Sequence, residues 1–236
     1  MKKHRIYIAI ILLTTLAIGG CTKIDNYPEP DRTLNGKILD AETNEPIFTE
    51  QPDGTRVKLL QTDWNNNPIP QYFWVKPDGT FRNTKIFKGK YEVTPVDGPF
   101  VPLTQAQTQT VDLGEEADLT FKVIPFLRVK LISVNVTGTT AIVSYKIERP
   151  TGSFKITDAK IFVSNTSQAT NASFDNKLTQ TNDLQGTADN VILATTYTAT
   201  VTLPAQRTFF LRVGARSEDN VSRRYNYTKA VHVDIP

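Results

Sequence analysis

The sequence predicts an all-β protein with two consecutive antiparallel β-sandwich domains, at residues 33–124 and 125–236. Apolar and polar residues alternate in short runs, as at Val143, Tyr145 and Ile147, and this period of two is typical of strands packed on one face. Turn-forming residues separate the runs at regular spacing. In the first segment no window sustains a helical period with helix caps. These observations together favour two sandwiches over a helical or mixed fold.

A lipoprotein signal peptide is predicted at residues 1–20, directly before Cys21, the single cysteine of the chain. The apolar run Ile6–Ile18 is broken only by two threonines and is too short for an ordinary membrane-spanning helix, which needs ~20 residues. Gly19 and Gly20 supply the small side chains that the signal peptidase requires. Basic residues precede the run: Lys2, Lys3 and Arg5. We expect cleavage before Cys21 and lipidation of its thiol, with a spanning anchor as the alternative.

Residues 21–32 are predicted to form a polar tether between the lipid and the first domain. Pro28 and Pro30 stiffen this segment, because proline fixes φ. Thr22 occupies the position after Cys21 where an aspartate is associated with inner-membrane retention. The sequence therefore predicts a protein anchored to the outer membrane through Cys21.

The first predicted domain, residues 33–124, consists of short apolar runs and turns. Leu34–Asp40, Arg56–Gln61 and Gln71–Lys76 are predicted strands, and polar breaks separate them. Pro77–Gly79 is a predicted turn, because proline presets φ and glycine tolerates a positive φ. Further strands are expected up to Val123, so the segment suits an antiparallel sandwich.

The second predicted domain begins at Pro125 and ends with a strand at Lys229–Ile235. Its alternating runs suit sheets that pack on one side only. The stretch from Ser164 to Asp189 is polar and too long for a simple loop, so we expect an edge strand with extended connections. The segment resembles an immunoglobulin or fibronectin-type sandwich without its disulfide.

The residue inventory excludes several classes of chemistry. Removing the three basic residues of the signal leaves 24 basic and 24 acidic residues, so the charge gives no reason to expect nucleic-acid binding. Once the signal is removed, His232 is the last histidine and no free thiol survives, which excludes a Cys/His zinc site and a cysteine nucleophile. His232 alternates with Val231 and Val233, so it is expected to face outward. No cofactor and no metal site are predicted.

Three aromatic residues are the candidate binding residues: Trp64, Tyr72 and Trp74. Alternation places Tyr72 and Trp74 on one face of a strand, and Phe73 and Val75 on the other. If Phe73 and Val75 form the core, the other two rings are exposed and can stack on sugar rings. The alternative, that Trp74 packs in the core, stays open. Trp64 stands at a loop edge and is the more accessible candidate.

The acidic and amide residues of the sequence raise two other kinds of site. Asp63, Asn65 and Asn67 have the spacing of a calcium loop, but the glycine and distal glutamate of an EF-hand are missing, so a solvated turn is favoured. A carboxylate-only glycoside hydrolase stays open, since paired acids meet in space rather than in sequence. That reading predicts a deep cleft with two acids ~5–10 Å apart.

Five segments carry a resemblance to a known family: Asp25–Pro30, Thr33–Ile38, Asp78–Tyr91, Gly98–Pro102 and Ile124–Val129. They look like segments of a two-domain lipoprotein family of unknown function from Bacteroidetes. The resemblance implies a transthyretin-like or carboxypeptidase-regulatory-like first domain and an immunoglobulin-like second domain. It also implies a setting beside SusC/SusD-like glycan-import systems, whose accessory lipoproteins often bind polysaccharide at the cell surface. No functional residues are carried over from it.

We therefore predict a non-catalytic, cell-surface, outer-membrane lipoprotein. Its predicted role is to bind polysaccharide for a SusC/SusD-like uptake system through Trp64, Tyr72 and Trp74. The alternative is a structural or assembly component. Such a component would dock on the importer or another envelope protein through an exposed sheet edge, without binding sugar.

Overall fold

The structure is a computed structural model that describes residues 28–236. The signal peptide predicted at 1–20, the lipidation predicted at Cys21 and the start of the predicted tether lie outside the described residues. Seven strands form the N-terminal domain: β1 (Arg32–Asp40), β2 (Arg56–Gln61), β3 (Gln71–Trp74), β4 (Thr80–Ile86), β5 (Gly89–Val96), β6 (Gln109–Leu113) and β7 (Glu116–Val123). Eight strands form the C-terminal domain: β8 (Arg128–Thr137), β9 (Thr140–Glu148), β10 (Ile156–Ser164), β11 (Gln180–Asp183), β12 (Thr196–Thr202), β13 (Arg207–Ser217), β14 (Asn226–Tyr227) and β15 (Val231–Ile235). The predicted all-β fold with two domains is confirmed.

The N-terminal domain packs a three-stranded sheet, in the order β4–β1–β7, against a four-stranded sheet, in the order β3–β2–β5–β6. Its core contains the fully buried Ile38, Val57 and Phe81. Gly36 lies opposite Phe81 in the β1–β4 register, and a side chain there would collide with the phenyl ring. The glycine in this strand is therefore required by the close approach of that ring.

The prediction of a purely antiparallel first sandwich needs one correction. β1 and β7 pair in parallel, from Thr33–Glu116 to Asp40–Val123. β7 follows β6 directly in sequence, but β6 belongs to the other sheet. The chain therefore crosses between sheets at this turn instead of forming a hairpin, and β7 reaches β1 in the same direction.

The C-terminal domain packs a sheet in the order β12–β9–β8 against a sheet in the order β11–β10–β13–β14, with β15 also paired to β13. β11 pairs only with β10, which confirms the edge strand predicted between Ser164 and Asp189. A short helix, α1 (Asp189–Ala194), was not predicted. Six residues are under two helical turns, too few to show a helical period in the sequence. Ile192 anchors α1 in the core.

No helix within residues 28–236 is long and apolar enough to cross a membrane.

Buried polar contacts join the two domains. Arg128, at the start of β8, donates to both carboxylate oxygens of Asp40, at the end of β1, at 2.5 and 2.9 Å. The side chain of Asn226 accepts a hydrogen bond from the Leu127 backbone N–H and donates one to the carbonyl of Pro99. Because the Arg128–Asp40 and Asn226–Pro99 contacts join residues from opposite domains, the interface fixes one domain on the other.

Glu50 is a deeply buried acid of this interface, with 2% of its surface exposed. It accepts a hydrogen bond from the Tyr227 hydroxyl at 3.0 Å and one from Arg224 at 3.4 Å. Burial raises the pKa of Glu50, although the hydrogen bond from Tyr227 and the charge of Arg224 act in the opposite direction. Folding therefore makes the carboxylate of Glu50 easier to protonate than it is in the unfolded chain.

We expect stability to fall as the pH rises from the unfolded pKa of Glu50 through its raised folded pKa. The sign follows because the folded state binds the proton more tightly than the unfolded state does. Glu50→Gln carries no charge at any pH and should remove this component of the pH dependence. Melting temperatures of both proteins between pH 4 and 8, with about one-unit steps, test this expectation. Parallel curves for the two proteins would contradict it.

Candidate functional site

The β2–β3 hairpin presents two of the predicted aromatic residues on its outer face. Tyr72 pairs with Lys58, and Trp74 pairs with Arg56, across the hairpin. Phe73, between them, points inward and packs edge-to-face on Phe81 at 5.9 Å between ring centroids. Tyr72 is 46% exposed, and Trp74 is partly exposed and lies outside the buried core. Of the two interpretations of Trp74, the structure therefore excludes the core position.

Arg56 lies between the two rings and holds them. Its guanidinium carbon is 4.5 Å from the ring centroid of Tyr72 and 5.7 Å from that of Trp74. Its Nε donates to the carboxylate of Asp97 at 2.6 Å, which fixes the plane of the guanidinium. Cation–π contact of this kind contributes about 0.5–1 kcal/mol at exposed sites. The rings are therefore positioned before any ligand arrives.

A polar cleft opens beside Trp74, at the junction of the two domains. It has a volume of about 360 Å³, and the N-terminal domain contributes Arg56, Trp74 and Asp97 to its wall. The C-terminal domain contributes Ser222 and Arg224. The Ser222 hydroxyl also donates to the carbonyl of Gly98 at 3.1 Å, so both walls are held together. The volume is within the range of about 300–1,000 Å³ that is usual for ligand sites.

The cleft combines the flat aromatic surface of Trp74 with hydrogen-bond donors and acceptors on planar side-chain groups. The guanidinium groups of Arg56 and Arg224 can donate hydrogen bonds to a ligand, and the carboxylate of Asp97 can accept hydrogen bonds from it. Asp97 is the one carboxylate in its wall, whereas glycoside hydrolysis uses a pair. The arrangement suits binding of a molecule with an apolar face and several hydroxyl groups.

Trp64 lies in a different part of the domain and does not join the other two aromatic residues. It is 67% exposed in the loop between β2 and β3 and lines a separate depression of about 660 Å³ with Ile69 and Phe87. Pro28 and Pro30 of the tether line the same depression. The three predicted residues therefore form two sites, with Trp64 beside the tether and Tyr72 and Trp74 towards the other domain.

The calcium-like spacing near Trp64 folds as a solvated turn. The backbone N–H of Asn67 donates to the side-chain oxygen of Asn65 at 3.0 Å, and Asp63 accepts a hydrogen bond from Gln61. Across residues 28–236 no group of three or more potential metal-ligating side chains comes together. His232, predicted to face outward, does so, and its ring stands 3.7 Å from the Asp234 carboxylate.

Sequence reasoning missed the polar half of the cleft. Arg56 could have been placed on the face of Trp74 only with the register of the β2–β3 pair. Asp97 has a positive φ of 60° before Gly98, and an Asp-Gly pair is a turn signal that marks the position but not its role. Ser222 and Arg224 lie more than a hundred residues away in the chain, and only the domain interface brings them to Trp74.

Comparisons with known proteins identify the family. A model of the N-terminal domain of a protein of unknown function, DUF3823, matches residues 32–124, and a model of a C-terminal domain of unknown function, DUF3823_C, matches residues 127–232. No curated protein matches the chain significantly.

Solved structures of similar proteins agree with this assignment. A DUF3823 family protein from Bacteroides uniformis is 26% identical with a TM-score of 0.77, over 88% of this chain and 100% of its own. A second protein from Bacteroides uniformis, called a "putative carbohydrate binding protein", is 21% identical with a TM-score of 0.71, over 87% and 100%. A DUF3823 family protein from Bacteroides ovatus is 18% identical with a TM-score of 0.69, over the same shares. The chain belongs to the DUF3823 family.

Proposed function

We propose that the protein binds polysaccharide, without catalysing a reaction, in the cleft beside Trp74. The observation that carries this proposal is the juxtaposition of the exposed Tyr72 ring and the partly exposed Trp74 ring with the Arg56–Asp97 pair. The C–H faces of a sugar ring can lie on an indole, while its hydroxyl groups bond to guanidinium and carboxylate groups. The name of the second Bacteroides uniformis structure supports the same class of ligand.

The position of the cleft suits a polymer better than a small solute. Trp74 belongs to the outer face of the β2–β3 hairpin, so a polymer longer than the cleft could continue along that face. β1 runs from the tether to the domain interface, a distance of about 26 Å for nine residues. A protein anchored through its tether would therefore hold the cleft away from the anchored end.

We further propose that the protein acts at the outer membrane, anchored through Cys21. Lipidation of Cys21 would place the described domains within a short reach of the outer membrane, because the seven residue-to-residue steps from Cys21 to Pro28 span at most about 25 Å. The family resemblance favours exposure at the cell exterior beside a SusC/SusD-like importer. Trp64, beside the tether, is then a second and separate aromatic contact for the polymer.

Affinity electrophoresis of the mature chain in gels containing different polysaccharides tests the proposal. We expect one class of glycan to retard the protein, and calorimetry on that glycan should give a saturable binding curve. Trp64→Ala provides the comparison, since it removes an exposed indole outside the cleft and should weaken retardation less than a change at Trp74. Normal migration in every gel would contradict the proposal and favour the assembly role.

A further inference from the structure

A second depression at the domain interface has a basic wall. Its volume is about 540 Å³, and it shares no wall residue with the cleft beside Trp74. Lys76 and Asp78 line it from the N-terminal domain, and Arg212 and Lys229 line it from the C-terminal domain. Three cations and one anion therefore surround the same space, in a protein whose mature part has balanced charges.

Arg212 forms the floor of this depression and is 3% exposed. Its Nε donates to the carbonyl of Thr228 at 2.7 Å, and its Nη2 donates to the carbonyl of Pro77, in the other domain, at 3.0 Å. The guanidinium carbon lies 5.1 Å from the ring centroid of Phe48 and 4.9 Å from that of Tyr227. All of these partners are uncharged.

Arg212 differs in this respect from other partly or fully buried arginines. Arg128 and Arg216 each bond to an aspartate, at 2.5 and 2.6 Å. No carboxylate in residues 28–236 is within ion-pair distance of Arg212, and its Nη1 has no hydrogen-bond acceptor among them. Burial lowers the pKa of Arg212 to about 10, as expected for a cation without a paired anion. Burying a charge costs free energy unless an opposite charge is paired with it. A bound anion near Arg212 would therefore be stabilised by its charge.

The exposed groups around Arg212 suit a sugar that carries an anionic group. Lys76 and Lys229 are exposed, so their ammonium groups can move to meet a ligand. Asp78, the one acid of the wall, is held by the backbone N–H and hydroxyl of Thr80, at 2.9 and 2.7 Å. Phe210 adds an apolar surface to the wall.

We propose that this depression binds the anionic groups of an acidic polysaccharide, carboxylates or sulfates on the sugar rings. Lys76 and Lys229 contact the anion directly, and Arg212 is the fixed positive charge beneath them. The inference rests on the proposed polysaccharide binding and narrows it to acidic glycans. Arg212 also clamps the domains through Pro77, so its removal would disturb the fold, and the two lysines carry the test.

Calorimetry with the acidic and the neutral form of the same polymer separates recognition of the anionic group from recognition of the sugar. Polygalacturonate is compared with its methyl ester, and dextran sulfate with dextran, because each pair differs only in the anionic group. We expect at least one acidic polymer to bind about tenfold more tightly than its neutral form. This difference in affinity should decrease as the salt concentration rises. Tighter binding of polygalacturonate than of its ester would identify the anion as a carboxylate, and tighter binding of dextran sulfate than of dextran would identify it as a sulfate.

The double variant Lys76→Met/Lys229→Met should lose this preference. The control Lys122→Met/Lys146→Met removes the same charge from exposed positions outside both sites and should keep it. Equal affinity for acidic and neutral polymers, or an equal loss in both double variants, would overturn the inference. Binding of neutral polymers that depends on Trp74 would then leave the proposed function standing. Failure of all polymers to bind would remove both proposals.

Discussion

Asp40→Ala should lower the free energy of unfolding by about 3–5 kcal/mol, the usual effect of removing one partner from a buried ion pair. Asp40 has 5% of its side chain exposed and Arg128 has 15%, so the largely buried arginine would keep only the solvent-exposed Glu42 as a counter-ion. The carboxylate also accepts hydrogen bonds from the backbone N–H groups of Glu42 and Thr43. Chemical denaturation followed by circular dichroism measures the loss.

Glu42→Ala is the matched control. Glu42 contacts the same guanidinium at 2.7 Å, but 74% of its side chain is exposed. Solvent screens such a pair, so its removal should change stability by about 1 kcal/mol or less. Equal effects of the two substitutions would show that burial of the Asp40–Arg128 pair does not matter for the domain interface.

The Asp40–Arg128 ion pair should also contribute to the loss of folding stability at low pH. Burial alone would raise the pKa of Asp40, but the hydrogen bond from Arg128 and those from the backbone outweigh it, and the pKa is lowered. Since the folded pKa is below the unfolded one, this stabilisation is present above the unfolded pKa and is lost as the pH falls through the folded pKa. Asp40→Ala should therefore show a shallower loss of stability in acid than the unmodified protein.

Trp74→Ala should abolish most polysaccharide binding, with a loss of about tenfold or more, as for truncation of a buried aromatic anchor at an interface. Its effect on stability should be small, about 1 kcal/mol, because the indole lies outside the core and loses chiefly its contact with Arg56. Calorimetry and thermal melting of the same sample measure both quantities.

Phe73→Ala is the control for this substitution, because the two residues are neighbours on opposite faces of β3. Phe73 packs on the core, so truncation should cost about 3 kcal/mol. Its folded fraction should bind polysaccharide normally. A stable Trp74→Ala protein that still binds with full affinity would show that the cleft is not the binding site.

Alternation was enough to predict the strands and to group Tyr72 with Trp74 on one face of β3, and Phe73 with Val75 on the other, because successive strand residues point to opposite faces. The exclusion of Trp74 from the core could not be decided that way. A tryptophan at such a position is equally compatible with either face until the register with Arg56 and the core residue Phe81 is known.

The domain interface was beyond sequence reasoning for a physical reason. The basic depression depends on Lys76, in the turn after β3, meeting Arg212 in β13. No local pattern encodes a contact between turns of one sandwich and strands of another. The uncompensated charge of Arg212 likewise becomes visible only when burial and the absence of a nearby carboxylate among the described residues are known.

The two tryptophans of the chain can report separately on the two aromatic sites by their fluorescence. In Trp64→Phe the remaining indole is Trp74, in the cleft, and in Trp74→Phe it is Trp64, beside the tether. Each variant is titrated with the polysaccharide panel while its tryptophan emission is recorded. We predict a saturable change in the Trp64→Phe protein with at least one glycan. No response in that protein, or a response only in Trp74→Phe, would contradict polysaccharide binding at the interdomain cleft.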